Sequence, residues 1–341
     1  MDLSSVVKRL HKLASPTLAG SWDNVGLLVE PSPPHQVETI FLTNDLTPPV
    51  LEEAIAKHSN MIISYHPPIF TGMKKLSQKQ WKDRIIIKCI ENRIALYSPH
   101  TSYDCVQGGV NDWLISCFDI KDVKPVELFE TLPSCFSHLI QFTVNSDQSQ
   151  ILLKSLKDLQ QVSVFDCIDR LDDLKQMSVS SVKSSIPQIL SLLEQYSSVN
   201  NILTQQLTEV AKPGHGYGRK AKLTEKISLD KAVDLVKQHL KLDHVRLAAT
   251  PDKKDISSVA VCAGSGGSVL RNVVADLYVT GEMSHHEVLH AVYNGTSVIL
   301  CEHSNTERGY LDVLKTKLQD CLDDKTNIIV TEVDTDPLKV V

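Results

Sequence analysis

Four residues of this chain have the types and positions that metal-assisted hydrolysis requires: His66, Asp104, His303 and Glu307. Imidazoles and carboxylates suit Zn, Mn or Fe, one divalent ion or two, and a carboxylate can bridge a pair. A pair of ions roughly 3.5–4 Å apart activates water and polarises a phosphoryl or carbonyl group. Val298-Ile299-Leu300 reads as the end of a buried strand, and Leu311, Val313, Leu314 and Leu318 mark the apolar side of a following helix. His303 and Glu307 sit four apart at the join. On a helix that spacing sends both side chains off one face. At a strand-to-helix junction it puts them where ligands bind in open α/β sheets. Ser304-Asn305-Thr306-Glu307 also reads as a capping box, with Glu307 reaching back to a backbone N–H. His66 reads also as a turn histidine before Pro67, and Asp104 as a cap for the helix near Gly108.

Proton transfer falls to His100 or His286, with core packing or support of a ligand as the other readings of His100. Gly264, Ser265, Gly266 and Gly267, with His285 lining the pocket, are the candidate substrate-binding residues. The run matches neither phosphate-loop pattern, yet free N–H groups at a helix start favour anions. A tight strand-to-helix turn is the alternative. Ser284 is placed to cap the helix that carries the two histidines.

The elements that must position these residues alternate. Residues 39–43, 61–64 and 94–97 read as strands, with helical periodicity over 48–58 and 81–91, so βαβ units and a parallel sheet are expected. The polar residues Asp45, His66, His100 and Asp104 then collect at one sheet edge. Trp22 reads as buried and Asp23-Asn24 as closing a turn. Residues 121–134, with Pro125 and Pro133, read as a connector, and 212–222, with Gly214, Gly216 and Gly218, as a linker. Between them the order βαββαβ suggests a ferredoxin-like module. The α/β rhythm resumes from 228 onward. The expected fold is therefore α/β: a discontinuous core domain with a mostly parallel sheet (1–125 and 213–341), plus an inserted ferredoxin-like α+β domain (126–212).

Composition narrows the function. A hydrophobic content of 42% fills sizeable cores, and a net charge of −6 argues against direct nucleic-acid binding. The eight cysteines form no Cys-x-x-Cys pair and read as reduced thiols of an intracellular protein. No apolar run approaches the ~20 residues of a membrane span. Lys8, Arg9 and Lys12 could mimic a mitochondrial presequence, but Val6, Leu10 and Leu13 read as a core helix face.

Five stretches resemble the NIF-three-like family: residues 21–27, 64–70, 98–104, 280–286 and 302–308, the last being Glu-His-Ser-Asn-Thr-Glu-Arg. The resemblance runs nearly end to end. It implies an α/β core with a dinuclear metal site, an inserted ferredoxin-like domain, and homo-oligomers that are dimeric or larger. It assigns His66, Asp104, His303 and Glu307 to the metal. Tyr65 stands where many bacterial relatives have a histidine, which weakens one metal position, since a phenol with a pKa near 10 is a poor ligand. Bacterial members are labelled GTP cyclohydrolase type two. Eukaryotic members are described as partners of transcriptional coregulators in cytoplasm and nucleus, with some mitochondrial assignments. The expected function is a metal-dependent hydrolase of a nucleotide-like or phosphorylated small molecule; the alternative is a non-enzymatic adaptor that binds transcriptional coregulators, as a transcriptional corepressor would.

Overall fold

The computed structural model describes residues 1–132, 136–169, 173–251, 255–322 and 325–340. Its elements run α1 (Leu3–Leu13), β1 (Gly26–Val29), β2 (Thr39–Thr43), α2 (Pro48–Ala56), β3 (Met61–Ser64), α3 (Trp81–Glu91), β4 (Ala95–Ser98), α4 (Thr101–Cys105), α5 (Val110–Ile115) and β5 (Ile120–Thr131). Then come β6 (His138–Asn145), α6 (Ser146–Lys157), β7 (Val162–Asp169), β8 (Leu174–Ser181), α7 (Ile186–Leu193) and β9 (Asn200–Gln206). The chain continues through β10 (Val210–Ser228), α8 (Leu229–Leu240), β11 (Arg246–Ala248), β12 (Asp255–Ser265), β13 (Leu277–Glu282), α9 (His285–Tyr293), β14 (Ser297–Leu300), α10 (Tyr310–Cys321) and β15 (Asn327–Val330). Two compact units result, Met1–Phe129 with Pro213–Val341, and Glu130–Lys212. No helix among the described residues is long and apolar enough to cross a membrane.

The larger unit is mixed α/β and holds two sheets where a single one was expected. The first has the order β1-β4-β3-β2-β15. Its β15–β2, β2–β3 and β3–β4 pairs are parallel, and only β1 runs antiparallel to its neighbour. The second has the order β11-β14-β13-β12-β10-β5, with β12, β13 and β14 parallel and β10 and β11 antiparallel to their partners β12 and β14. Alternation along β2 feeds two cores: Ile40 and Leu42 enter the cluster shared with Val259, Val279 and Ile299 of the second sheet, and Phe41 enters the one under α2 and α3. Each fully buried aliphatic side chain contributes about 1.5–3 kcal/mol, so the shared cluster welds the two sheets. Leu114, Leu311 and Leu318 seal it.

Two segments read as irregular are strands. The connector over 121–134 is largely β5, an edge strand, where Pro125 costs little; Pro133 lies outside the described residues. The linker over 212–222 lies within β10. Its glycines break the pattern in sequence but not in space, because Arg219 holds them. Arg219 is 1% exposed, donates to the carbonyls of Gly216 and Gly218 at 2.6 and 2.8 Å, and pairs with both Asp112 oxygens at 2.8 Å. The helix expected after the glycine-rich run does not form. Residues 267–272 make successive turns, with Leu270 N bonded to Gly266 O and Arg271 N to Ser268 O.

The smaller unit orders its strands β7-β8-β6-β9, with all neighbours antiparallel and α6 and α7 supplying Leu152, Leu156, Ile189 and Leu193 to a core of its own.

Candidate metal centre

The site forms where loops following parallel strands of both sheets meet. His66 lies just past β3, Asn44 and Asp45 just past β2, Glu282 ends β13, and His303 follows β14. Glu307 is the hub. Its carboxylate is 3% exposed, with Oε2 3.4 Å from His66 Nε2 and Oε1 3.4 Å from His303 Nε2. Asn44 Nδ2 donates to Oε2 at 3.0 Å. Ligand atoms of His66, His303 and Glu307 all lie within 4.8 Å of one another.

The His303–Glu307 join is a 3-10 turn over Ser304–Thr306, and its end carries no side-chain cap. The capping-box reading of Ser304 therefore fails: Ser304 Oγ donates to Asp336 at 2.7 Å and Glu307 turns inward. The capping box lies instead at Ser284 and Glu287, as the position of Ser284 predicts.

Each imidazole is oriented from behind. Asp45 Oδ1 lies 2.9 Å from His66 Nδ1, and Glu282 Oε2 lies 3.1 Å from His303 Nδ1. With Nδ1 engaged, Nε2 is the nitrogen left to face Glu307, the arrangement in which metal-bound histidines are held by carboxylates. Gly264 completes the cradle. Its φ is +63°, and an added Cβ would lie 2.6 Å from Glu307 Oε1 and 2.9 Å from His303 Nε2. Asn44 Oδ1 beside the centre is buried without a hydrogen-bond partner among the described residues. Two imidazoles, one buried carboxylate and the supporting carboxylates fit a divalent cation.

The electrostatics agree. Burial opposes charge on Glu307, but the imidazoles of His66 and His303 outweigh it and hold the carboxyl well below its usual range. Burial likewise opposes charge on His66, yet Glu307 and Asp45 push its pKa up to about 11. The hydrogen bond that His303 donates to Glu307, against burial, carries the imidazole pKa up to about 9. The cluster is a strong negative seat that draws positive charge.

Asp104 stands beside this group but outside it. Tyr65 Oη donates to Asp104 Oδ1 at 2.5 Å. Burial raises the Asp104 pKa to about 6, while the Tyr65 hydrogen bond pulls the other way. Burial and the charges of Asp104 and Glu307 keep the Tyr65 phenol protonated.

His100 belongs to the neighbourhood. Its ring centroid lies 5.4 Å from that of His66, and Asp23 Oδ1 lies 2.7 Å from its Nδ1. Its φ of 36° is strained for a non-glycine residue, as is that of Glu302 at 64°. Asp23, read from sequence as a turn residue, is thus the orienting partner of His100, and Thr101 Oγ1 donates to its other oxygen at 2.5 Å. Trp22, expected to be buried, is 64% exposed, because its loop runs across the site rim rather than under it.

The remaining candidates divide: Gly264 belongs to the cradle, whereas His286 and Gly267 lie apart from the cluster. His286 and Gly267 line a groove of about 930 Å³ that none of His66, His303 or Glu307 borders. His285 is exposed and stacks edge-on with His286. In the glycine-rich run, Gly264 N donates to Thr306 Oγ1 at 2.8 Å and Gly266 N to Thr280 Oγ1 at 3.0 Å, so those two N–H groups are already engaged. Glu282 and Asn44 carry no role from the sequence alone, and Asp45 is placed by it at the sheet edge without a role. Asp45 and Glu282 carry a usable signal, a carboxylate at the end of a strand beside one that bears a histidine.

Residues 1–337 match the model of the family described as Duf34/NIF3 (NGG1p interacting factor 3). NIF3-like protein 1 of Bos taurus is 45% identical, covering 100% of this chain and 93% of its own. NGG1-interacting factor 3 of Saccharomyces cerevisiae is 33% identical, covering 99% of this chain and 97% of its own. The crystal structure of a Staphylococcus aureus protein superimposes with a TM-score of 0.79 at 24% identity, covering 100% of this chain and 99% of that one, which is a likeness of fold.

Proposed function

The chain belongs to the Duf34/NIF3 family, and from that premise we propose that it is a metal-dependent hydrolase of a nucleotide-like or phosphorylated small molecule. The observation that carries the reading is the convergence of His66, His303 and Glu307, with each imidazole fixed from behind by a carboxylate. His66 Nε2, His303 Nε2 and the Glu307 carboxylate would hold the ion, which the donor set suits as Zn, Mn or Fe. When bound, such an ion supplies Lewis acidity, polarising a phosphoryl or carbonyl group and acidifying water. The chain's own residues do the rest. Asp45 and Glu282 keep both imidazoles in the ligating tautomer. His100, held by Asp23 at Nδ1, keeps Nε2 for proton transfer at the rim. Asp104, engaged by Tyr65, would have to leave that bond before it could serve as a ligand to a second ion. Residues 130–212 we read as a ferredoxin-like module serving assembly, within a homo-oligomer of cytoplasm and nucleus.

Metal content per chain tests this, by elemental analysis of native protein beside the double variant His303→Ala, Glu307→Ala. The expected result is about one ion in the native chain and none in the variant, with phosphoester turnover lost in parallel. Equal metal content in the two would remove the centre, and unchanged turnover would remove the hydrolase.

A second reading is supported by the name of the yeast relative, an NGG1-interacting factor. In it the chain is a non-enzymatic adaptor for transcriptional coregulators and the ion is structural. Partner capture by metal-free protein would favour it; capture that requires the intact centre would count against it.

A further inference from the structure

Large exposed aromatic side chains call for a reason, and two of them stand together at the rim of the centre: Trp22 at 64% exposure and Phe70 at 44%. Their ring centroids are 6.1 Å apart. Both also meet His100 edge-on, at 6.0 Å from Trp22 and 6.3 Å from Phe70. His100 in turn meets His66 at 5.4 Å. One imidazole therefore separates the exposed pair from the first metal-ligating histidine.

The pair is held rather than loose. The indole lies across Gly20, where an added Cβ would come within 2.8 Å of Trp22 Nε1. Gly20 N donates to Thr101 Oγ1 at 3.0 Å. Asp23 accepts from His100 and Thr101. Asn24 Nδ2 donates to Ile69 O at 2.6 Å, which ties the Trp22 loop to the segment carrying Phe70. A loop anchored at Gly20, Asp23 and Asn24 presents its one large apolar side chain to solvent. Such preorganisation lowers the ordering cost of receiving a flat ligand.

Resting on the hydrolase reading, we propose that Trp22 and Phe70 form a stacking platform for a planar heteroaromatic ring of the substrate, whose phosphate or carbonyl group then reaches the metal centre past His100. The substrate class is accordingly a nucleoside phosphate or a similar aromatic phosphate, in preference to a sugar phosphate. Stacking recognises the flat face of the ring and tolerates its edge, so purine and pyrimidine are both accepted.

Calorimetric affinities for AMP and ribose 5-phosphate test the platform, since the probes differ in the base. Native protein should prefer AMP by roughly five- to a hundred-and-sixtyfold, the range for one base on an aromatic side chain. The preference should collapse in Trp22→Ala and in Phe70→Ala and largely persist in Trp22→Phe. In the variant His303→Ala, Glu307→Ala both probes should weaken together with their ratio kept, so a failed metal centre and a failed platform give different results. A native ratio near one, a ratio unchanged in Trp22→Ala, or binding of neither probe overturns the platform. So does a change of oligomeric state in Trp22→Ala by light scattering, which would assign the aromatic pair to a subunit interface.

Discussion

Tyr65 Oη donates a hydrogen bond to Asp104 Oδ1 at 2.5 Å, and so engages a carboxylate that stands beside the His66, His303 and Glu307 cluster. Because burial and the neighbouring charges hold the phenol above its ordinary pKa, it stays a donor and does not become a ligand. Replacing Tyr65 with His should release Asp104 and add an imidazole. Metal content in Tyr65→His should therefore rise from about one ion per chain toward two. An unchanged value, in a variant of native circular dichroism, would show that Tyr65 does not set the count.

The histidines give a pH dependence of definite sign. The folded pKa values of His66 and His303, about 11 and about 9, lie above the ordinary 6.5. In the metal-free protein their stabilisation is full below about 6.5 and is lost as pH rises through 9 and then 11. Glu307, held low, contributes above its ordinary 4.5 and loses that contribution as pH falls through its depressed folded value. An ion needs both Nε2 atoms deprotonated, so zinc affinity should climb between pH 7 and 9, with more than one proton released per ion near pH 7. Calorimetry in buffers of different ionisation enthalpy reads the proton count, and zero release would contradict the charged cluster.

Gly264→Ala should damage the centre without unfolding the chain. The new methyl meets Glu307 Oε1 and His303 Nε2, and φ of +63° costs a further ~1 kcal/mol for any L side chain. Zinc affinity should fall at least about tenfold, a loss of the size seen when the support of a ligand is removed. Dye-competition titration measures it, and native affinity would place the backbone of Gly264 away from the ligands.

Asp334 should act on the centre from a distance. Its Oδ2 accepts from Asn44 N at 2.9 Å, Asp45 N at 3.2 Å and Thr43 Oγ1 at 3.2 Å, and Arg308 Nε lies 3.8 Å away. It thus fixes the turn that aims Asn44 at Glu307 and Asp45 at His66. Asp334→Ala should weaken zinc binding about tenfold, while Asp334→Asn, which keeps an acceptor oxygen, should restore part of it. Identical affinities for all three proteins would make Asp334 a matter of stability alone.

Removing the carboxylate of Asp112 strands the buried Arg219 guanidinium. Asp112→Ala should destabilise the chain by about 3–5 kcal/mol, read by urea unfolding, whereas the double replacement Asp112→Ala, Arg219→Met should recover much of that. A double variant no better than the single one would mean that the carbonyl contacts of Arg219 matter more than its charge.

Much of this was legible in the residues. His66, His303 and Glu307 stand out because ionisable side chains directly after apolar β-rich runs have few structural reasons to be there. The alternation of strands and helices followed from periodicity. What stayed hidden depends on partners distant in sequence. Pro125 and Gly214, Gly216 and Gly218 are local breakers, and only the edge position of β5 and the grip of Arg219 keep those segments in the sheet. Ser304 and Glu307 satisfy the capping-box pattern, but two histidines and Asn44 outbid a backbone N–H for the carboxylate. Trp22 was read by its hydrophobicity, which says nothing of a loop anchored at the rim.

The two sides of the centre are made at different times. His66 and Asp45 leave the ribosome long before Glu282, His303 and Glu307, with the smaller unit and its own core synthesised in between. β2 meanwhile waits with one edge open until β15 arrives to pair with it. An ion at this seat would therefore require a chain synthesised past Glu307. A nascent or prematurely stopped chain lacks the second sheet that buries Ile40 and Leu42 and bears an uncovered β2 edge, so exposed apolar surface and an open strand mark it off from the finished protein.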